Sequence, residues 1–156
     1  ALDGLKNGKQ SPFAHNPRLL GHFYRPHPQL ALGLGLRDYA SACIDISDGL
    51  VGDLQHLCRA SHVSAEINTH QLPIHTDLKQ VPEQQHLQWA LTGGDDYQLC
   101  FTIPKDRRRD FDVWLVKQDF SVTEIGKITT IDHNQPEVIV DGGSLPIVLG
   151  GYDHFQ

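Results

Sequence analysis

The sequence predicts an α+β domain, a layered domain in which a mixed β-sheet is flanked by α-helices. Segments with helical periodicity alternate with short segments in which apolar residues occupy every second position. The clearest of these strands runs from Tyr97 to Ile103 and ends at a proline. With 156 residues, of which 39% are hydrophobic, the chain is long enough to bury one core.

Near the N-terminus, Pro26 and Pro28 disfavour a helix before them and favour a helix start after them. We expect residues 1–26 to be a remnant of the domain's N-terminal helix and a connecting loop, and residues 27–156 to form the C-terminal α+β domain. The leucines from Leu30 to Leu36 fit both strand alternation and i, i+4 helical pairs. The length of this segment, about a dozen residues, favours a helix.

The next segment predicts a buried strand from Ala42 to Ile46 that is interrupted by Asp45. Ser47 or Asp48 then offers an N-cap oxygen to a helix. The apolar residues of this helix fall on one face: Leu50, Val51, Leu54, Leu57 and Cys58. We interpret Asp53, within the helix, as a surface or packing residue and not as a ligand.

The rest of the chain adds three strands and two helices. The predicted strands span residues 63–67, 122–128 and 137–140, and the predicted helices span residues 82–91 and 106–119. A tight turn is predicted at residues 141–143, where two glycines follow an aspartate.

The composition narrows the classes of partner. A formal net charge of −6, with no basic cluster larger than Arg107 to Arg109, disfavours nucleic acid. No apolar run reaches the roughly 18 residues of a membrane span. Three cysteines, without a C-x-x-C pair, indicate reduced thiols, so we expect a cytoplasmic protein. The ten histidines are dispersed, which favours solvent exposure over a metal site.

The first candidate site is the loop from Asp45 to Gly49. A carboxylate in an apolar strand costs desolvation energy, but at the end of that strand it would face a ligand crevice. Asp45 and Asp48, with the Ser47 hydroxyl and the N–H groups of a helix N-terminus, would suit Mg²⁺ and a polyphosphate. A structural alternative has equal weight, in which these residues cap the helix and bond nearby backbone donors.

A second acidic loop, residues 92–97, precedes the clearest strand. Its paired glycines permit a close backbone approach or a positive φ, and its acids, Asp95 and Asp96, point in opposed directions. Taken alone, a surface turn whose carboxylates bond their own backbone is favoured. Neither a Walker A loop nor G-x-G-x-x-G is present, which disfavours a P-loop kinase or a Rossmann enzyme. Tyr152 lies either in a frayed tail or on a surface that stacks on a ligand ring.

Three motifs in this order resemble the thiamine-monophosphate kinase family. They are IDISDGLVGDL at residues 44–54, LTGGDDYQL at residues 91–99 and GYDHF at residues 151–155. The ordered set is far more specific than any one motif. It implies the superfamily of aminoimidazole ribonucleotide synthetase and selenophosphate synthetase, whose members have two α/β domains. This chain resembles the C-terminal domain of aminoimidazole ribonucleotide synthetase.

The resemblance implies a homodimeric kinase that uses Mg²⁺ and transfers the γ-phosphoryl group of ATP to thiamine monophosphate. By position, Asp45 and Asp48 match the metal-binding aspartates, and Ser47 matches an ATP-contacting serine. Asp95 matches the acid that contacts the thiamine moiety, and Tyr152 matches the aromatic residue that stacks on the substrate. Many relatives have Glu in place of Asp95, which changes reach but not charge. No covalent nucleophile or obligatory base is expected.

The resemblance also implies that the N-terminal ATP-binding domain is absent, and the lack of methionine suggests a fragment. We therefore expect the fragment alone to be inactive. Two alternatives stay open: a related ATP-dependent enzyme with another small acceptor, and a non-catalytic binding module. Asp95 and Tyr152 together favour a thiamine-sized cation over another acceptor.

Overall fold

In the described part of the chain, five α-helices alternate with five short β-strands. The structure is a computed structural model that describes residues 16–131 and 135–143. The elements in chain order are α1 (Pro17–Tyr24), α2 (Leu30–Leu36), β1 (Ala42–Asp45), α3 (Leu50–Ser61), β2 (Ser64–Ile67), α4 (Glu83–Thr92), β3 (Leu99–Thr102), α5 (Arg108–Leu115), β4 (Gly126–Thr129) and β5 (Val138–Val140). Short 3₁₀ turns span Thr69–Gln71, Thr76–Gln80 and Asp141–Gly143. The predictions for residues 1–15 and for Tyr152 lie outside the described residues.

The strands of the described residues form two sheets. In the three-stranded sheet, β2 is central, antiparallel to β4 and parallel to β5. The two-stranded sheet pairs β1 with β3 antiparallel and places Asp45 opposite Leu99. The predicted α+β class, with a mixed sheet and flanking helices, is confirmed.

Helix α3 packs its apolar face on the three-stranded sheet. The predicted face is confirmed, because Leu50, Val51, Leu54, Leu57 and Cys58 are all buried. Around this face lie the other buried members of the first core: Ala65, Ile67, Leu91, Val138 and Val140. Burying one leucine or isoleucine side chain contributes about 1.5–3 kcal/mol, so this face accounts for the docking of α3 on the sheet.

A second core joins α2 and α5 to β3. Leu32, Leu36 and Phe111 are buried at its centre. Aromatic rings surround them at centroid separations of 5.3–5.9 Å, contributed by Tyr39, Phe101, Trp114 and Phe120. Strand β3 faces both cores, since Cys100 packs against the first and Phe101 against the second.

Strand β1 and helix α2 both leave side chains exposed. Strand β1 alternates in exposure and leaves Cys43 and Asp45 accessible, so the prediction of a buried strand is wrong. Its only partner strand in the described residues is β3, and one face is not covered. In α2, side chains two positions apart lie on nearly opposite faces. Leu30 and Leu34 are therefore 74% and 66% exposed, although the intervening leucine is buried.

Helix α1 lies within the segment predicted to hold a helix remnant and a connecting loop. The Asn16 side chain accepts hydrogen bonds from the backbone N–H groups of Arg18 and Leu19, and Pro17 occupies the first helical position. None of the described helices is long and apolar enough to cross a bilayer.

Candidate functional site

The two acidic loops are joined by backbone hydrogen bonds. We call residues 45–49 the first acidic loop and residues 93–97 the second acidic loop. The N–H of Asp95 donates to the carbonyl of Ser47 at 2.9 Å, and the N–H of Tyr97 donates to the carbonyl of Ile46 at 2.8 Å. These bonds continue the pairing of β1 with β3 beyond the strands. Two segments about fifty residues apart in sequence therefore form one site.

Glycine permits this close approach at two positions. A Cβ atom at Gly94 would lie 2.4 Å from the carbonyl oxygen of Ser47. Gly49 has a φ of +116°, and a Cβ atom there would lie 2.9 Å from the backbone of Thr92. The sequence predicted a close backbone approach or a positive φ at the second loop. The approach that the structure shows is between the two loops themselves.

Asp53 holds the first acidic loop from beneath. Its side chain is only 4% exposed, and one carboxylate oxygen accepts the N–H groups of Ser47 and Asp48 at 2.9 and 3.0 Å. The expectation that Ser47 or Asp48 caps α3 is wrong, because the N-cap is Gly49, without a side-chain hydrogen bond. Asp53 is a buried anchor of the loop, not a surface residue. This contact, from the fourth residue of α3 back to the loop before the helix, was not predicted from the sequence.

The Tyr97 hydroxyl lies against the Asp95 carboxylate, to which it donates a hydrogen bond at 3.0 Å. This hydrogen bond is the largest cause that raises the pKa of the Tyr97 phenol, and the negative charges of Asp95, Asp45 and Asp48 act in the same direction. An acid singled out from the sequence is therefore in direct contact with an exposed phenol.

The second acidic loop has an unusual backbone. Asp95 and Tyr97 have φ angles of 65° and 51°, in the left-handed region. This conformation is uncommon for Asp and an outlier for a bulky residue such as Tyr. The bonds to the first loop hold the backbone in place, and strain of this kind clusters at functional sites. Sequence reasoning did not select Tyr97 as a site residue.

Asp45 stands at the end of β1 with an exposed side chain. Within the described residues its carboxylate accepts no hydrogen bond, so the alternative that it bonds nearby backbone donors is not what the structure has. It also lines an apolar cleft of about 500 Å³. The other residues that line the cleft are Pro26, Pro28, Gln29, Leu30, Gly33, Leu34, Tyr97 and Leu99. This cleft was not predicted, because the leucines that line it indicated only a helix or a strand.

The donor set fits a hard divalent cation that keeps part of its water shell. Asp45, Ser47 and Asp48 offer carboxylate and hydroxyl oxygens, which Mg²⁺ prefers. Among residues 16–131 and 135–143, no group of three or more His, Cys, Asp or Glu could hold a metal ion. Magnesium sites often use only one or two protein carboxylates, and the substrate phosphates supply further oxygens. The loops thus fit a shared metal site and not a closed protein cage.

Comparisons with known proteins agree on one family. Residues 4–139 match the model described as AIR synthase related protein, C-terminal domain. The chain is 41% identical over 138 residues to thiamine-monophosphate kinase of Escherichia coli K12, an alignment that covers 88% of this chain and 42% of that protein. Thiamine-monophosphate kinase from Aquifex aeolicus is 36% identical over 140 residues and is covered to 41%.

Solved structures give the same result. The crystal structure of thiamine-monophosphate kinase from Stenotrophomonas maltophilia K279a matches with a TM-score of 0.72 and 38% identity, over 85% of this chain and 41% of that one. A structure of AaThiL complexed with AMPPCP and TMP matches with a TM-score of 0.73 and 34% identity, over 97% and 47%. The chain spans less than half the length of the relatives that it matches.

Proposed function

The chain belongs to the AIR synthase related protein family, C-terminal domain, and from this premise we propose that it is part of an ATP-dependent kinase that converts thiamine monophosphate to thiamine diphosphate. The observation that carries the proposal is the backbone pairing of the two acidic loops, which brings the segment with Asp45 and Asp48 beside the segment with Asp95. The relatives named thiamine-monophosphate kinase support the choice of reaction, and the complex with AMPPCP and TMP supports ATP as co-substrate. The predicted resemblance to this family is confirmed.

In this proposal Asp45 and Asp48 hold Mg²⁺, and the Ser47 hydroxyl contacts ATP. Bound Mg²⁺ supplies the neutralisation that two anionic reactants need in order to approach each other. The chain itself positions these groups: β1 ends at Asp45, and the hydrogen bonds that Ser47 and Asp48 donate to Asp53 fix the backbone of the loop. No covalent nucleophile of the protein is needed. No general base is needed either, because the acceptor phosphate is largely ionised near neutral pH.

Asp95 and Tyr152 bind the thiamine moiety in this proposal. Thiamine carries a cationic thiazolium ring, which suits a carboxylate and an aromatic face. The Asp95 carboxylate is exposed and is oriented by the Tyr97 hydroxyl at 3.0 Å. Asp reaches less far than Glu but carries the same charge, and the φ of 65° at Asp95 takes the backbone out of a regular strand path.

The remaining parts of the site come from a separate N-terminal ATP-binding domain. The relatives are about twice as long as this chain, which leaves room for such a domain. We propose that residues 1–26 connect to it, that residues 27–156 are the C-terminal domain, and that the complete protein is a homodimer in the cytoplasm. The chain alone is then inactive, because further metal-binding acids and much of the ATP site belong to that N-terminal domain, and the bound metal ions are what neutralise the two anionic reactants.

The test uses the complete protein in which this chain occurs, with ADP release as the readout. Asp48→Asn should lower kcat by about 10²-fold or more, because a charge that stabilises the transition state is lost. Asp110→Asn, at an exposed position in the first turn of α5, is the matched control and should leave kcat unchanged. Unaltered turnover in Asp48→Asn would favour the binding module, and a preference for another phosphate acceptor would favour the related enzyme.

A further inference from the structure

Asp53 contacts neither metal nor substrate in the proposed function, yet its hydrogen bonds are with the loop that carries the proposed metal-binding residues. We propose that Asp53 is the positioning residue of the first acidic loop: it occupies the two backbone N–H donors that would otherwise bind a phosphate oxygen. At Ser47 and Asp48 the loop then presents side-chain oxygens, which suit a divalent cation. This inference rests on the proposed function and specifies how the same site distinguishes a cation from an anion.

The geometry begins with two consecutive N–H groups. Successive backbone N–H groups that point to one side form a concavity that binds anions, as in many phosphate sites. Here the N–H groups of Ser47 and Asp48 converge on a single Asp53 oxygen at 2.9 and 3.0 Å. The anion that fills this concavity is therefore part of the protein. Ser47 and Asp48 precede α3, so the phosphate donors predicted in the first turn of that helix stay a prediction.

Burial keeps the Asp53 carboxylate in contact with these two N–H groups. The Asp53 side chain is 4% exposed, so a phosphate oxygen has no open path to displace it. A buried carboxylate requires compensation, which comes from the two hydrogen bonds and from its place in the first turn of α3, where the helix dipole favours a negative charge. The carboxylate and the loop thus satisfy each other without an external ligand.

The backbone of Ser47 is consequently fixed from both sides. Its N–H donates to Asp53, and its carbonyl accepts the N–H of Asp95 at 2.9 Å. Both polar backbone groups are used inside the protein, and only the hydroxyl is left for a nucleotide. The pair of contacts also sets where the Asp48 side chain begins. Mutation of a residue that orients metal ligands typically lowers metal affinity by about 10–100-fold. A small movement of this loop should therefore weaken metal binding.

Gln55 provides a matched control in the same helix. Its amide donates to the carbonyl of Pro136 at 2.8 Å and accepts the N–H of Val138 at 3.2 Å. Like Asp53, it makes two side-chain hydrogen bonds to a backbone segment, but that segment leads into β5 and not into the acidic loops. Gln55→Ala therefore removes a comparable structural link and leaves the first acidic loop intact.

The experiment records amide NMR spectra of the full ¹⁵N-labelled chain while Mn²⁺ is added as a paramagnetic probe. In the wild type we expect slow hydrogen exchange at the N–H groups of Ser47 and Asp48 and Mn²⁺ broadening confined to the two acidic loops. Asp53→Ala should abolish the protection and raise the Mn²⁺ concentration for half broadening by about tenfold or more. Gln55→Ala should change neither, and inorganic phosphate alone should not shift the wild-type loop amides.

The outcomes separate this inference from the proposed function. Wild-type broadening in a folded Asp53→Ala chain, or an equal loss in Gln55→Ala, would overturn the role of Asp53 while leaving the cation site in place. Absence of broadening at the wild-type loops would overturn the cation site itself. If Asp53→Ala does not fold, Asp53→Asn decides, since its remaining oxygen can accept the same N–H groups. In Asp53→Asn, slow hydrogen exchange at Ser47 and Asp48 and binding of Mn²⁺ must either both be kept or both be lost. Loss of the slow exchange alone would overturn the proposal.

Discussion

In the three-stranded sheet, β2 and β5 bury nearly every side chain, whereas in the two-stranded sheet β1 leaves alternate side chains exposed. Acidic residues differ in the same way. Beside the three-stranded sheet, the hydroxyl and the N–H of Thr69 donate hydrogen bonds to the Asp141 carboxylate. These hydrogen bonds hold the pKa of Asp141 below its usual range. At the end of β1, the Asp45 carboxylate is exposed and lines a cleft. The exposed acid is therefore at the two-stranded sheet, where we propose the site.

This comparison predicts that substitutions in the three-stranded sheet change stability and not activity. Ile67→Ala on β2 removes a 2% exposed side chain from the first core and should lower the free energy of unfolding by about 2–5 kcal/mol. Ile128→Ala on the neighbouring β4 is the control, because that side chain is 40% exposed, and its effect should stay within about 1 kcal/mol. Urea unfolding measures both. Equal losses would show that burial does not distinguish the two positions.

Substitutions at the two-stranded sheet should change activity. Gly94→Ala places a methyl group 2.4 Å from the Ser47 carbonyl, so the two acidic loops must separate. A displacement of about 1 Å at a positioned site can cost roughly 10²-fold in rate, and we expect a loss of that size in kcat of the complete protein. Gly21→Ala in α1 has nothing within 4 Å of the new methyl group and is the control. Full activity in Gly94→Ala would mean that the loops need not touch.

The division between the two sheets also explains what the sequence could predict. The buried face of α3 follows from a periodicity of 3.6 residues, which is a local property, and it was predicted residue by residue. The exposure of β1 depends on which elements cover it, and no local pattern carries that information. Asp53 has the same side chain as an exposed helical acid, and only the path of the preceding loop turns it into an anchor. The order of the acidic motifs indicated a site, but their pairing was visible only in three dimensions.

A smaller effect is expected where one hydroxyl orients one carboxylate. Tyr97→Phe keeps the ring that lines the cleft but removes the donor to Asp95. We expect KM for thiamine monophosphate to rise several-fold, because Asp95 loses its orientation, while kcat changes little. Tyr97→Leu, which removes both ring and hydroxyl, should raise KM further. A fall in kcat with unchanged KM would instead place Tyr97 in the transferring step. Initial rates at saturating ATP distinguish these results.

The smallest effect concerns thiols and tests how the two-stranded sheet is covered. Cys43 on β1 is exposed, whereas Cys100 on β3 packs against the first core, and burial raises the pKa of Cys100 to about 11. Since the thiolate is the reactive form, a thiol reagent at pH 8 should label Cys43 first in the native chain. Cys100 and the fully buried Cys58 should react only as urea unfolds the protein, and Cys43→Ser should remove the fast phase. Fast labelling of Cys100 would mean that β3 is open on both faces, and the loops at its start would then lack the rigid support that the site requires.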